Sequence, residues 1–217
     1  MAWDCATGNG QAALGLAERF RRVVATDASA AQIASALPHE RVTYRVALAH
    51  ACELPSSTVD LITVAQALHW LDRKAFFREA QRVLVPGGVI AAWCYSLVEI
   101  DDGVDRLVRR FYEETVGPYW SPQRQLVDDG YRTVGFPFAE FALPRLAIEQ
   151  EITLDQLGGY LRTWSATQRY VEERGEDPVV PLVEAIQSSW GAPSNVRRAR
   201  WPLFIRAGRH DGDGSAA

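Results

Sequence analysis

The sequence predicts a doubly wound α/β fold, a parallel sheet with helices on both faces. Three observations carry that expectation. A short strand stub, Ala2 to Asp4, runs into the turn Thr7-Gly8-Asn9-Gly10 and then an Ala-rich helical pattern from Gln11 to Phe20. From there to Cys94, strand and helix patterns alternate at the spacing that βαβ units require. Val59 to Ala65 is a near-continuous apolar run, as a strand covered on both faces needs.

Arg21 to Asp27 reads as a second strand ending in an acid. Ala28 to Leu37 reads as a short helix, with Ser29 as its N-cap and Pro38 closing it. Val42 to Val46 alternates and is rich in β-formers, so it is a third strand. Ala47 to Ser57 is a loop before the fourth strand, Val59 to Ala65. Asp72 caps a helix from Arg73 to Leu84 whose apolar face holds Phe76, Phe77, Ala80 and Val83. Pro86-Gly87-Gly88 reads as a turn before a fifth strand, Val89 to Cys94.

The second half reads differently. Asp101 to Val116 is a charged amphipathic helix, broken at Tyr119-Trp120-Ser121-Pro122. A strand is expected near Glu140 to Leu143, helices at Leu154 to Trp164 and Pro181 to Trp190, and a last strand at Trp201 to Arg206. A polar tail from Gly208 is expected to be disordered. The expected division is 1–98 as a ligand-binding core, 99–207 as a C-terminal half with a helical cap and the last strands, and 208–217 as the tail.

The chain has 217 residues, 47% hydrophobic and 23% charged, with net charge −4. That suits one domain, or one domain with an elaborated cap. No basic run points to nucleic acid. No apolar stretch reaches the ~18 residues of a membrane span, and no charged-then-apolar leader marks secretion. The three cysteines, Cys5, Cys52 and Cys94, are scattered and odd in number. They fit neither a disulfide framework nor a zinc spacing and suit a reducing cytoplasm, as buried small hydrophobes.

The first turn is the candidate ligand site. Gly8 and Gly10 lack Cβ, so backbone can approach a nucleotide-like ligand there. Asp4 stands just before the turn. Asp27 ends the second strand 19 residues beyond Gly8, where an acid is placed to hydrogen-bond ribose hydroxyls. In such sheets ligands bind outside the carboxyl ends of the strands, which gathers the segments after Asp4, Asp27, Val46, Ala65 and Cys94.

These residues resemble the class I S-adenosylmethionine-dependent methyltransferases, with the trans-aconitate methyltransferase-like branch as the nearest likeness. The matching pieces are Asp4 to Gln11, Ala25 to Ser29, Val59-Asp60-Leu61, Ala65 to Trp70, Arg82 to Gly88 and Gly159 to Ser165. The resemblance implies a Rossmann-like, seven-stranded sheet with an antiparallel last strand and S-adenosylmethionine as cofactor. It implies that Asp4, Ala6 and Gly8 surround the methionine part, with Gly10 at the turn into the helix. Asp27 would hold the ribose, Ala28 would lie against the adenine, His50 and Ala51 would sit at the adenine edge, and Gln66 would lie near the sulfonium end. Two departures stand out. The family usually has an acid where His50 stands; a neutral imidazole accepts there only through one ring nitrogen. The family also carries a segment before the first strand, so the expectation here is a first strand cut short.

The methyl acceptor is expected to be a small molecule, with a carboxylic acid favoured by the resemblance alone. No metal is required. His69 is the candidate base or substrate hydrogen-bonder, with a structural histidine as the alternative. Trp70, Tyr95 and Trp164 are candidate walls of the acceptor pocket, and Arg124, Arg162 and Arg169 are candidate carboxylate partners. Two rival readings share these features. A nicotinamide-dependent oxidoreductase would use the same turn and strand-end acid, because Ala13 occupies the third fingerprint position; Asp4 before the turn weighs against it. A truncated, non-catalytic binding protein is the other.

Overall fold

The computed structural model describes residues 1–212 and separates into two compact units. The first comprises 1–94, 126–144 and the chain from Phe204 on; the second comprises 95–125 and 145–203. In chain order the first elements are β1 (Ala2–Cys5), α1 (Gln11–Ala17), β2 (Val23–Asp27), α2 (Ala30–Ala34), β3 (Val42–Val46) and β4 (Val59–Ala65). Then come α3 (Arg73–Val83), β5 (Leu84–Tyr95), α4 (Asp102–Arg110), α5 (Arg124–Asp128), β6 (Ala139–Glu140) and β7 (Ala147–Ile152). The last are α6 (Leu154–Arg162), α7 (Ser165–Arg174), α8 (Val179–Trp190) and β8 (Arg197–Arg209).

The sheet order is β3-β2-β1-β4-β5-β8-β6, with β7 pairing β8 off that path. β1 is only four residues long, yet it is central: Ala2 to Cys5 pair in parallel with Val23 to Thr26, and Ala2 to Asp4 with Leu61 to Thr63. The strand order reverses at β1, so its carboxyl end is the switch point where ligands bind in such sheets. β8 runs antiparallel to both β6 and β7, as the expected last strand does.

Alternation along the strands sorts the first unit's core. Trp3, Cys5 and Val24 face a cluster completed by Phe76, Phe77 and Ile62. Ala2, Val23 and Ala25 face the other side, where α1 adds Ala13 and Ala17. Small side chains on that side let α1 lie close to the strands. Trp3 is fully buried and donates its indole N–H to Thr26 Oγ1 at 2.8 Å, so burial leaves no donor unpaired.

Most elements of the first half fall where they were expected, including both caps. Ser29 accepts from Gln32 N–H and Asp72 from Ala75 N–H. Both helices before β3 are shorter than expected: α1 stops at Ala17 and α2 at Ala34. Arg19 and Phe20 N–H both return to Leu16 O, closing the first of them into a turn. Pro86-Gly87-Gly88 is not a turn but part of β5. The register to β4 shifts between Val59 and Leu61, and Gly87 at φ +78° absorbs the irregularity as a bulge.

The second half departs further. The expected helix to Val116 is α4 followed by one π-helical turn, Phe111–Thr115. The expected strand near Glu140 shrinks to the two residues of β6. β7, α5 and α7 were not expected. Gly208 and Arg209 lie in β8, paired with Glu140 and Ala139, so the tail is ordered at least through them. The remainder of the expected disordered tail, from residue 213, lies outside the described residues. No helix among the described residues is long and apolar enough to cross a membrane.

Candidate functional site

The carboxyl ends of β1, β2 and β4 bring the expected residues together. The chain leaves β1 through Ala6 at φ +54°, then Gly8 at +58° and Gly10 at +91°. Left-handed backbone costs an L-residue energy, and such strain concentrates at functional sites. Thr7 N–H bonds Thr26 O at 3.0 Å, which ties the turn to the end of β2. Asp27 completes the tie: it accepts from Gly8 N–H at 2.9 Å and from Ser29 N–H at 2.8 Å. A carboxylate has about four lone-pair sites, so Asp27 retains acceptor capacity.

Asp4 lies beneath the turn rather than on it. It is 1% exposed, and its oxygens accept from Thr63 Oγ1 at 2.6 Å and Thr7 Oγ1 at 2.5 Å. Burial pushes its carboxyl pKa up, against the hydroxyls that lower it. Tyr44, from β3, reaches under the same turn. Its hydroxyl is buried without a hydrogen-bond partner among the described residues, and a Cβ on Gly10 would lie 2.4 Å from it. Thr7, Thr63 and Tyr44 were not singled out from the sequence, because nothing local marks a threonine or tyrosine as the partner of an acid far along the chain.

β4 is followed by Gln66 at φ +54°, whose N–H bonds Trp93 O at 2.8 Å. Its side-chain Oε1 is buried with no hydrogen-bond partner among the described residues. An unsatisfied buried acceptor costs about 1–3 kcal/mol, a debt that a ligand's donor or positive charge would remove. The glycine turn, the partly used Asp27 and the unpartnered Gln66 oxygen together fit a nucleoside with a cationic end.

His69 follows on a short 3-10 turn, Leu68–Trp70, and is 7% exposed. Its Nδ1 lies 3.0 Å from the hydroxyl of Tyr131, a buried residue held at φ +60° after Gly130 at +61°. Trp70 is 53% exposed, its ring 4.7 Å from that of His69. Ala28 is exposed at the end of β2. His50 and Ala51 are exposed too, in a turn closed by the Ala51 N–H to Leu48 O bond of 3.0 Å.

A methyltransferase-domain family model matches residues 3–92, which span this whole constellation up to Trp70. A protein of Dictyostelium discoideum named as a methyltransferase is 32% identical over 211 residues, covering 94% of this chain and 80% of that one. The chain belongs to the class I S-adenosylmethionine-dependent methyltransferases. A solved structure from Anaeromyxobacter dehalogenans, described as a type II methyltransferase, superposes with TM-score 0.91 at 45% identity, covering 97% of this chain and 90% of that one. A methyltransferase of Aspergillus candidus is 29% identical over 163 residues, 65% of this chain and 51% of that one. The nicotinamide reading is not favoured by any of these.

Glu79 of α3 fixes the loop that carries His50 and Ala51. Glu79 Oε1 accepts from both Cys52 N–H and Cys52 Sγ–H at 3.1 Å, next to Ala51. Arg82 grips the same carboxylate at 2.8 Å through two nitrogens. Those Arg82 hydrogen bonds hold the Glu79 carboxyl down at about 2, while burial holds the Cys52 thiol up at about 12. All three cysteines are free and buried, as expected. Because the folded-state pKa of Glu79 is depressed, its stabilisation is complete above the unfolded pKa near 4.5 and is lost as pH falls toward about 2. Glu79→Gln is expected to cost ~1–3 kcal/mol at neutral pH and to flatten the loss of stability between about pH 5 and pH 3, read by urea unfolding across that range. An unchanged acid slope would assign that loss to other groups.

The remaining candidates lie in the second unit. Trp164 is the hub of an aromatic cluster, with Tyr112, Trp120 and Tyr160 ring centroids each 5.7 Å away. Arg124 stacks on Trp120 at 4.5 Å and donates to Tyr112 Oη at 2.8 Å. Burial pushes the Tyr160 hydroxyl up to about 12, with Tyr95 the next cause. Arg162 is paired to Asp177 at 2.6 Å and Arg169 donates to Tyr119 O at 3.0 Å, so all three arginines have structural partners.

Proposed function

We propose that this methyltransferase esterifies a small carboxylic acid, as the trans-aconitate-like resemblance suggests. The cofactor side rests on one observation above the others: Gly8 N–H is fastened to Asp27, which leaves carboxylate acceptor capacity at the end of β2 for ribose hydroxyls. When bound, S-adenosylmethionine supplies an activated methyl group on a sulfonium. In this reading Asp27 binds the ribose, Ala6, Gly8 and Gly10 line the methionine part through their backbone, and Asp4 holds that backbone from beneath. Ala28, His50 and Ala51 border the adenine. The unpartnered Gln66 oxygen turns the negative end of its amide dipole toward the sulfonium charge.

A carboxylate acceptor arrives ionised, so no general base is needed. That agrees with His69 having its Nδ1 on Tyr131: in this reading His69 positions the Tyr131 loop and Trp70 rather than taking a proton. Arg124, held flat against Trp120 and near Tyr160, is the cation best suited to a planar carboxylate, with Tyr95 and Trp164 as apolar walls.

The test is methyl transfer to a panel of small acids, amines, phenols and thiols, with products identified by mass. Methyl esters are expected, and Arg124→Met is expected to raise KM for the acid by about tenfold to a hundredfold with a smaller change in kcat. Transfer to amines or thiols with no ester would overturn the acceptor class.

A further inference from the structure

A groove of about 520 Å³ lies on the first unit between α3 and residues 134–137. Its size is that of ligand pockets, which run ~300–1,000 Å³. One wall is apolar. Phe77 and Phe136 meet edge to face at 5.6 Å, and Gly135 between Val134 and Phe136 leaves an opening. A Cβ at Gly135 would meet nothing within 4 Å.

The other wall is cationic. Arg73, Lys74 and Arg78 all line the groove, and none makes an ion pair or side-chain hydrogen bond among the described residues. The contrast on the same helix is Arg82, paired with Glu79 at 2.8 Å. Two costs attend this arrangement. Lys74 and Arg78 are one turn apart on one face, where like charges repel. Arg73 and Lys74 stand in the first turn of α3, where the helix dipole disfavours cations, and that turn holds no acid. Asp72 lies just before it, its carboxylate engaged with Ala75 N–H at 3.1 Å. Three unpaired cations beside an aromatic wall, on a chain of net charge −4, select a negatively charged occupant with an apolar body.

We propose that this groove binds an amphipathic small-molecule anion, a carboxylate carried on an aliphatic chain or ring. The carboxylate lies among Arg73, Lys74 and Arg78, and the apolar body lies against Phe77 and Phe136. The inference stands apart from the methyl-transfer site, since none of these residues belongs to the glycine turn or the ends of β1, β2 and β4.

Calorimetric titration with decanoate, with decanol as the uncharged control, tests it. Lys74→Glu with Arg78→Glu reverses two of the three charges, and Gly135→Trp fills the opening without touching the charge. All three positions are exposed, and cooperative thermal melts check that each variant folds. Saturable decanoate binding is expected, at least about tenfold weaker in each variant, or ~1.4 kcal/mol, with no saturable binding of decanol. Absence of decanoate binding to the wild-type chain would overturn the proposal. So would equal affinity in the folded variants, equal binding of decanol, or binding confined to an acidic peptide. S-adenosylhomocysteine titrated in parallel reports separately on the methyltransferase site and is expected to be unaffected by either variant.

Discussion

Asp27→Ala is expected to weaken S-adenosylhomocysteine binding by about a hundredfold or more while leaving the chain folded. The carboxylate has two structural duties, Gly8 N–H at 2.9 Å and Ser29 N–H at 2.8 Å, and in the proposed assignment two further ones to the ribose. Hydrogen bonds to a charged group are worth ~1.5–3 kcal/mol each, so losing two ligand contacts amounts to ~3–6 kcal/mol. Releasing Gly8 adds to the loss, because the turn is then no longer set before the ligand arrives. The folded chain itself loses less, ~1–2 kcal/mol, since both structural bonds lie near the surface and water replaces the carboxylate. Calorimetry for binding and urea unfolding for stability separate the two effects. Affinity falling less than about threefold would remove Asp27 from the ribose, and a stability loss as large as the binding loss would make it a structural residue only.

The part of the site legible in the sequence is the part written in local patterns. Gly8, Gly10 and Asp27 are found because a tight turn needs glycine and a strand end shows its last residue. The structure then joins them through one bond across 19 positions. The partners that finish the site carry no such mark. Thr63 reaches Asp4 from 59 residues away, and Tyr131 reaches His69 from 62. Tyr131 is also held in a left-handed conformation that no sequence rule expects of a tyrosine. The fold divides the same way. β2, β3 and β4 are legible because burial imposes apolar runs or alternation on them. β7 is not: its four middle residues, Ile148 to Glu151, are exposed, and it is held by backbone pairing to β8 and by Glu149 to Arg198 at 2.6 Å. Pro86-Gly87-Gly88 has turn chemistry, yet pairing to β4 resumes beyond it, jumping from Leu84 opposite Val59 to Val89 opposite Leu61, so the chain bulges instead of turning.

Gly10→Ala carries the largest expected effect on stability. Two independent costs meet at that position. Gly10 sits at φ +91°, which costs an alanine ~1–2 kcal/mol. The new Cβ would also lie 2.4 Å from Tyr44 Oη and 2.7 Å from Cε1. The Tyr44 ring packs against the α1 face of the sheet, beside Ala13 and Ala25, so its retreat disturbs packed atoms and costs ~1–2 kcal/mol more. Together these predict ~2–4 kcal/mol, a fall of about 5–15 °C in Tm for a chain of this size. They are separable, because only the steric share runs through Tyr44. In a Gly10→Ala, Tyr44→Ala cycle the double variant should recover the steric share and retain the backbone share, giving a coupling energy of ~1–2 kcal/mol. A coupling near zero would place the whole penalty in the backbone. Binding should respond differently from stability. Gly10 opens α1, and the backbone around it is the proposed seat of the methionine part, so displacing that backbone weakens S-adenosylhomocysteine even in the double variant that has regained its packing. Full recovery of both stability and affinity there would mean that Gly10 is needed only to clear Tyr44, and the turn's role in holding the cofactor would have to rest on Gly8 and Asp27.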